Sequence, residues 1–209
     1  MTRAMSATIE TVIFDLGGVL IDWNPEYVFR EVFDDEEEMR YFFEEVCTSA
    51  WNVRQDAGRP LSKATEEKVN EFPEYEPAIR AYYGRWEDML GGPITASVEL
   101  LEQIHARGQH RLYALTNWSQ ETFPVAQERY DFLQLFEGIV VSGQEKLIKP
   151  DLRIYQKLLQ RYKVAAETAV FIDDLKRNVD AAREVGMAGI HFQGAERLRA
   201  ELRGLRVLV

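Results

Sequence analysis

Five short stretches of this chain carry side chains able to do chemistry. "FDLGG" holds a lone carboxylate, Asp15, followed by Gly17 and Gly18. "LTN" offers a hydroxyl and an amide, Thr116 and Asn117. "VSG" contains Ser142, and "KP" sets an ammonium, Lys149, before Pro150. "FIDD" ends on the carboxylate pair Asp173 and Asp174. Such a carboxylate can attack a phosphoryl group and form an aspartyl-phosphate. Gathered carboxylates repel one another and so call for a cation or a nearby lysine. Mg²⁺ held by two carboxylates and a carbonyl would relieve the repulsion between Asp15 and a phosphate. Lys149 and Thr116 suit phosphoryl oxygens as charge develops on them. The glycines after Asp15 lack a Cβ, so a backbone N–H such as that of Gly18 can approach the same oxygens.

Each residue also has a plainer reading. A strand-end aspartate often caps nearby backbone N–H groups. Thr-Asn is common where a turn or a helix begins. Lys149 could be solvated, and Asp173-Asp174 could simply favour a helix N-terminus. Four independent plain readings in one sheet make a poor explanation of residues that share one edge.

That edge follows from the hydrophobic pattern. "TVIFDL" (Thr11–Leu16), "RLYALTN" (Arg111–Asn117), "TAVFIDD" (Thr168–Asp174) and the weaker "GIVVSG" (Gly138–Gly143) are short continuous apolar runs. Runs of this length suit strands buried on both faces of a parallel sheet. Amphipathic segments separate them: "ASVELLEQIHARG" ending on Gly108, "PDLRIYQKLLQRYK" after Pro150, and "KRNVDAAREVGM" closing near Gly186. The alternation predicts an α/β fold with a doubly wound parallel sheet. In such sheets ligands bind outside the carboxyl ends of the strands, which here carry Asp15, Thr116-Asn117, Ser142 and Asp173-Asp174, with Lys149 following closely after the fourth run. From about Pro25 to Gly91 the chain instead reads as acidic, aromatic helices without a clear buried strand. The expected organisation is a core of residues 1–22 plus 92–209 with an inserted all-helical cap, 23–91.

Composition narrows the partners. With 25 basic and 35 acidic residues the formal charge is −10, which argues against nucleic acid and anionic membranes. A small phosphorylated substrate needs only a few local positive groups or a metal ion. Cys47 is the single cysteine, so no intramolecular disulfide and no thiolate zinc cluster is expected. No apolar run approaches the roughly 20 residues needed to span a bilayer, and Met1–Glu10 lacks a signal-peptide core. A soluble cytoplasmic monomer or homodimer is the expectation.

Taken in order, "FDLGGVL", "LTN", "KP" and "VFIDDLKRNVDAAREVGM" resemble the four motifs of the haloacid dehalogenase-like hydrolase superfamily. The resemblance spans Val12 to Met187. It implies a Rossmann-like core with a helical cap inserted after the first motif, and a Mg²⁺ cofactor. Asp15 looks like the nucleophile and Lys149 like the third-motif lysine. Thr116 and Asn117 would contact substrate. Asp174 would bind the metal together with Asp15 and the Gly17 carbonyl, with Asp173 beside it. Within the superfamily the pattern is most similar to glucose-1-phosphatase-type enzymes and the phosphatase domain of soluble epoxide hydrolase, a likeness to which Asn178 contributes.

One departure matters. Most phosphatases of the superfamily carry a second aspartate two residues after the nucleophile, which protonates the leaving alcohol and activates water. Here that residue is Gly17. Asp22 would substitute if the chain turned back over the site; as a hinge residue before Trp23-Asn24-Pro25 it would not. The reading taken forward is a Mg²⁺-dependent phosphatase of a small phosphorylated metabolite, such as a sugar phosphate. The alternatives are a non-catalytic protein binding a phospho-ligand or a protein partner, and a metal-independent haloacid dehalogenase. Trp23, Trp51, Tyr83 and Trp86 would either stack on substrate or form the core of the cap. Arg54 and Arg59 would reach an anion or lie on the surface. Hinges are expected near Asp22–Pro25 and Gly91–Pro93.

Overall fold

The computed structural model describes residues 8–208. Met1–Ala7, most of the stretch read for a signal sequence, and Val209 lie outside the described residues. Seven strands form: β1 Thr11–Phe14, β2 Ile21–Trp23, β3 Leu90–Pro93, β4 Arg111–Thr116, β5 Gly138–Val141, β6 Ala169–Asp173 and β7 Ala188–His191. Five make one parallel sheet in the order β5-β4-β1-β6-β7. The chain builds outward from β1 first to one side, through β4 and β5, then to the other, through β6 and β7. Both neighbours of β1 therefore end beside it, which makes the β1 carboxyl end the switch point where a ligand crevice opens.

The four apolar runs became β1, β4, β5 and β6. Successive residues of β1 point to opposite cores: Val12 and Phe14 to one, Ile13 to the other. Tyr113 and Leu115 of β4 and Phe171 of β6 share the side of Ile13. That double burial is why these strands read as unbroken apolar runs. β7, "AGIH", escaped notice because a four-residue strand containing glycine carries little pattern.

Eleven helices complete the described fold. Those before β3 are α1 Glu26–Val32, α2 Glu36–Tyr41, α3 Ser49–Asp56, α4 Leu61–Glu71 and α5 Glu76–Gly84. After it come α6 Thr95–Arg107, α7 Phe123–Arg129, α8 Ser142–Glu145, α9 Leu152–Tyr162, α10 Lys176–Glu184 and α11 Ala195–Gly204. α6 ends as expected on Gly108, whose φ of +60° is cheap only without a Cβ. Ile154, Tyr155 and Leu158 of α9 cover one face of the sheet. Leu100, Leu101 and Ile104 of α6, with Leu198 and Leu202 of α11, belong to the core of the other.

That second core runs on without a break into α1–α5. Phe29 and Phe42 are fully buried, with ring centroids 4.9 Å apart. Tyr82 lies 5.8 Å from Phe29 and edge-on to Trp51 at 5.2 Å. Large buried side chains of this kind contribute roughly 1.5–3 kcal/mol each. The helices are bracketed by a strand pair: β2 and β3 run antiparallel, with Asp22 opposite Gly92. This ribbon was missed because Gly91-Gly92-Pro93 reads as a turn.

Candidate active site

β1 delivers Asp15 one residue beyond its end, and the Asp15 N–H still donates to the Ile172 carbonyl at 2.8 Å. The backbone at the reacting residue is thus held by the sheet. Asp15 Oδ1 accepts from Leu16 N–H at 2.8 Å and pairs with Lys149 Nζ at 2.8 Å. Both interactions fall on one oxygen, which leaves Oδ2 for chemistry.

Lys149 is fully saturated. Its ammonium also donates to Asp173 Oδ2 at 2.8 Å and to the Leu115 carbonyl at 3.0 Å. Three donors meet three acceptors, so a lysine that is 2% exposed carries no unmet hydrogen bond. Burial works to lower its pKa, but the carboxylates of Asp15 and Asp173 outweigh it and hold the ammonium above its ordinary value.

Asp173, also fully buried, does the positioning. Its Oδ1 accepts from Leu175 N–H at 2.8 Å, which ties it to the start of α10. The Asn178 amide reaches both its oxygens, at 3.0 and 3.1 Å. Asp173 and Asn178 therefore set Lys149, which sets Asp15. Asn178 Oδ1 is buried without a partner.

Asp174 is different. It is partly exposed, and its carboxylate stands against the backbone of Gly18. A Cβ at Gly18 would sit 2.8 Å from Asp174 Oδ2, and φ there is +72°. Glycine at this position makes room for the carboxylate. The His191 Nε2 lies 2.9 Å from the Asp174 main-chain carbonyl, which fastens this loop to the end of β7. One oxygen each from Asp15, Asp173 and Asp174 lies within 4.8 Å of the others. Burial pushes Asp15 up to about 8; Lys149 works against that, and Asp173 and Asp174 add to it. Burial and Asp173 likewise raise Asp174.

Two expected substrate contacts come out differently. The Gly18 N–H donates to the Ile21 carbonyl at 2.9 Å, so it closes the turn after β1 and is not available to a phosphate. The Asn117 side chain is committed to Lys149: its Nδ2 donates to the Lys149 carbonyl at 3.0 Å and its Oδ1 accepts the Lys149 N–H at 2.8 Å. Asn117 thus fixes the backbone of the lysine. Thr116 ends β4 and is buried beside it. Asp22 sits in the ribbon and accepts from Tyr27 OH at 2.6 Å. Ser142 is a stitch, donating to the Asp56 carbonyl at 2.6 Å and accepting from Trp118 N–H at 2.9 Å.

Beside these groups opens a cleft of about 90 Å³. Gly17, Asn117, Trp118 and Ser119 line it from the sheet, while Asn52, Asp56, Tyr83 and Trp86 line it from the helices between β2 and β3. Trp23 and Trp86 thus face the cleft, Trp51 packs in the core, Arg54 is exposed and Arg59 pairs with Glu67. Trp118 and Asp56 were not singled out from the sequence. Trp118 directly follows the "LTN" motif, a usable signal. Asp56 offered only the polar "QD" before Gly58.

A family model for haloacid dehalogenase-like hydrolases matches residues 9–186. Among curated proteins, the chain is 27% identical to a sesquiterpene phosphatase, astK, of Aspergillus oryzae, over 96% of this chain and 98% of that one. It is also 27% identical to a phosphorylated carbohydrates phosphatase of Thermotoga maritima, over 88% and 84%. Among solved structures, the HAD family enzyme bt-2542 from Bacteroides thetaiotaomicron, in a magnesium complex, superposes with a TM-score of 0.74. The match is 19% identical and covers 94% of this chain and all of that one.

Proposed function

Because the chain belongs to the haloacid dehalogenase-like hydrolase family, we propose that it is a Mg²⁺-dependent phosphatase of a small phosphorylated metabolite, working through an aspartyl-phosphate. The observation that carries this reading is the charge balance at the strand ends. Three carboxylates converge there around one ammonium. A dehalogenase needs no such surplus of negative charge, whereas a phosphatase needs a cation to offset it. The donors are all oxygen, which suits Mg²⁺. Asp15, Asp174 and the Gly17 carbonyl would hold it. When bound, the ion would neutralise phosphate charge and polarise the phosphoryl group.

The chain's own residues supply the rest. Lys149 and Leu16 N–H fix Oδ1 of Asp15, so Oδ2 attacks phosphorus and the bond to the leaving oxygen breaks. The Lys149 charge, its three N–H groups already committed, acts through space on the phosphoryl oxygens, beside Thr116. Water then attacks the phosphorus, the bond to Asp15 breaks, and phosphate leaves. Asp173, Asn178 and Asn117 hold Lys149 still throughout, which avoids reorganisation during the reaction.

Residues 23–91 act as a cap on this site, swinging on the β2–β3 ribbon. At about 90 Å³ the cleft is far below the roughly 300–1,000 Å³ typical of ligand pockets, so entry of a metabolite requires the cap to open. Both curated phosphatases act on small phosphorylated compounds by their names, one a sesquiterpene and one carbohydrates. The aromatic wall of the cleft accepts either an apolar chain or a sugar face. No described helix is long and apolar enough to cross a membrane. The lone cysteine, buried, supports a cytoplasmic setting.

The test is phosphate release from a panel of phosphorylated metabolites, with Mg²⁺ and with EDTA. Activity should require the metal and vanish in Asp15→Asn. Halide release from a haloacid without metal would overturn the reading.

A further inference from the structure

One ionisable group in the cleft has no part in the chemistry above. Asp56 ends α3, on the cap side, and is the one carboxylate among the residues that line the cleft. Its backbone is pinned to the core. The Asp56 carbonyl accepts from Ser142 Oγ at 2.6 Å, and a Cβ at Gly58 would come within 2.8 Å of the Gly143 carbonyl. The turn after α3 therefore lies flat on the chain leaving β5. The Ser119 N–H draws the pKa of the Asp56 carboxyl down, and Ser119 is itself part of the cleft wall.

On the opposite wall, Gly17 leaves space. A Cβ there would meet nothing within 4 Å. The reaction nonetheless needs a proton donor, because an alcohol leaves poorly as an alkoxide. Asp22 is bonded to Tyr27 in the ribbon and does not line the cleft. Tyr83 does line it, but its hydroxyl donates to Asn52 Oδ1 at 2.8 Å, and burial pushes its pKa far above neutrality. Lys149 is spent on three acceptors.

We propose that Asp56 is the general acid and base of this site, supplied by the cap to the same cleft that Gly17, two residues beyond Asp15, lines from the strand ends. The proposal rests on the phosphatase reading. As Asp15 Oδ2 bonds to phosphorus and the ester P–O bond breaks, the Asp56 carboxyl gives its proton to the departing oxygen. The Asp56 carboxylate then takes a proton from the attacking water. The new P–O bond forms, the Asp15–phosphorus bond breaks, and Asp56 is protonated again for the next cycle.

Its surroundings suit both halves. Burial pushes Asp56 up to about 7, while the Ser119 N–H and the Lys149 ammonium draw it down. Tyr82 and Tyr83 face it from α5, both neutral. A group poised near neutrality is efficient as donor and acceptor alike. The device also couples chemistry to closure, since the acid arrives only when α3 is seated on Ser142 and Gly143.

The experiment compares Asp56→Asn with the unaltered protein on two esters, p-nitrophenyl phosphate and ethyl phosphate, with Mg²⁺. Asparagine keeps an acceptor for the Ser119 N–H. In Asp56→Asn, p-nitrophenol should still appear in a rapid burst of about one equivalent, since that leaving group needs no proton. Steady-state turnover should then fall roughly 100-fold or more, for want of a base. Ethyl phosphate should give neither burst nor turnover. The same variant with unaltered turnover of ethyl phosphate, or with burst and steady state falling in parallel, overturns the proposal. Should Asp56→Asn melt early, Asp56→Glu keeps the question open to measurement. It must retain steady-state turnover within about tenfold of the unaltered protein, and loss of both phases overturns the proposal. Failure of the phosphatase reading is separately visible. There the unaltered protein releases no phosphate from either ester, or Asp15→Asn releases as much.

Discussion

The two walls of the cleft are built on opposite plans. On the strand-end wall, charged groups hold one another. Lys149 spans Asp15 and Asp173, Asn178 braces Asp173, and Asn117 clips the lysine backbone. Asp15, Asn117 and Asp173 stand at or just beyond the ends of β1, β4 and β6, Lys149 follows α8, and Asn178 lies on α10. On the cap wall, Asp56 apart, the groups are aromatic and amide. Tyr83 OH donates to Asn52 and accepts from Gln55 Nε2 at 3.0 Å, and Trp86 meets Trp118 edge-on at 5.5 Å. These hang from helices joined to the core through the two-stranded ribbon. A sheet buried on both faces fixes charges to within tenths of an ångström, which bond-making needs. Helices on a ribbon can part to admit a substrate, which selection needs.

The contrast is broken most sharply at Lys149. Lys149→Met keeps the length of the side chain and removes the charge that three buried acceptors share. Two carboxylates are left facing each other without compensation. Losing one partner of a buried pair costs about 3–5 kcal/mol. The expected result is a large drop in melting temperature together with loss of turnover. A protein that melts normally after this change would show that the strand-end network does not hold the site. The same number of bonds removed on the cap wall should cost far less.

The cap wall is probed by Trp86→Phe. The smaller ring keeps an apolar filling but opens the cleft next to Trp118. Changes of this size in a pocket shift discrimination by about 1–3 kcal/mol. KM values for bulky and compact substrates should change relative to each other by roughly tenfold, while kcat on p-nitrophenyl phosphate stays nearly constant. Equal loss of kcat on all substrates would place Trp86 in the chemistry and erase the division between the walls.

The two walls were also unequally legible in the sequence. Asp15, Thr116 and Asp173-Asp174 stand at the ends of apolar runs, so periodicity placed them on one edge, and Lys149 follows closely after the fourth run. Their partnerships were not legible. Nothing in "LTN" says that Asn117 spends its amide on Lys149, because that bond joins residues 32 apart. Gly18 was read as a phosphate cradle, but its N–H turns to Ile21 and its bare Cα makes way for Asp174. Asp56 was passed over because the cap's helices mix core and cleft residues on similar faces, whereas Trp118 stood unremarked just beyond "LTN". Which residues a helix presents to a cleft depends on how the ribbon docks it, and strands of three and four residues, the second reading Leu-Gly-Gly-Pro, carry no periodic signal.

Acidity separates the walls more gently. Asp15, with burial lifting it to about 8, and Asp56, lifted by burial to about 7, both sit above the ordinary carboxylate value of 3.8. The folded protein then binds more protons than the unfolded chain between about pH 4 and those values. Stability from these groups is present at low pH and is lost as pH rises through the window. Without metal, the melting temperature should fall between about pH 5 and pH 8. Asp56→Asn should flatten the part below about pH 7, the contribution of the cap wall. Mg²⁺ should recover the part that belongs to Asp15. A melting curve indifferent to pH would mean that neither carboxyl is desolvated in solution.

The smallest effect is expected where the walls do not touch. Gly17 has open space where a side chain would go, and its backbone lies outside the left-handed region. Gly17→Ala should therefore fold normally and gain about 0.4–1 kcal/mol by restricting the unfolded chain. Gly18→Ala, one residue on, should be costly, since its Cβ would meet Asp174 Oδ2 at 2.8 Å from a backbone with φ of +72°. Differential scanning calorimetry of the two variants gives the comparison directly. If Gly17→Ala were as damaging as Gly18→Ala, the gap beside Asp15 would not be there. The carboxyl of Asp56 would then have no open path to a leaving group seated over Gly17. If Gly17→Ala is neutral or stabilising, Gly17→Asp becomes the sharper tool. A carboxyl placed on the strand-end wall should restore turnover to Asp56→Asn, because the proton can be delivered from either side of the same space.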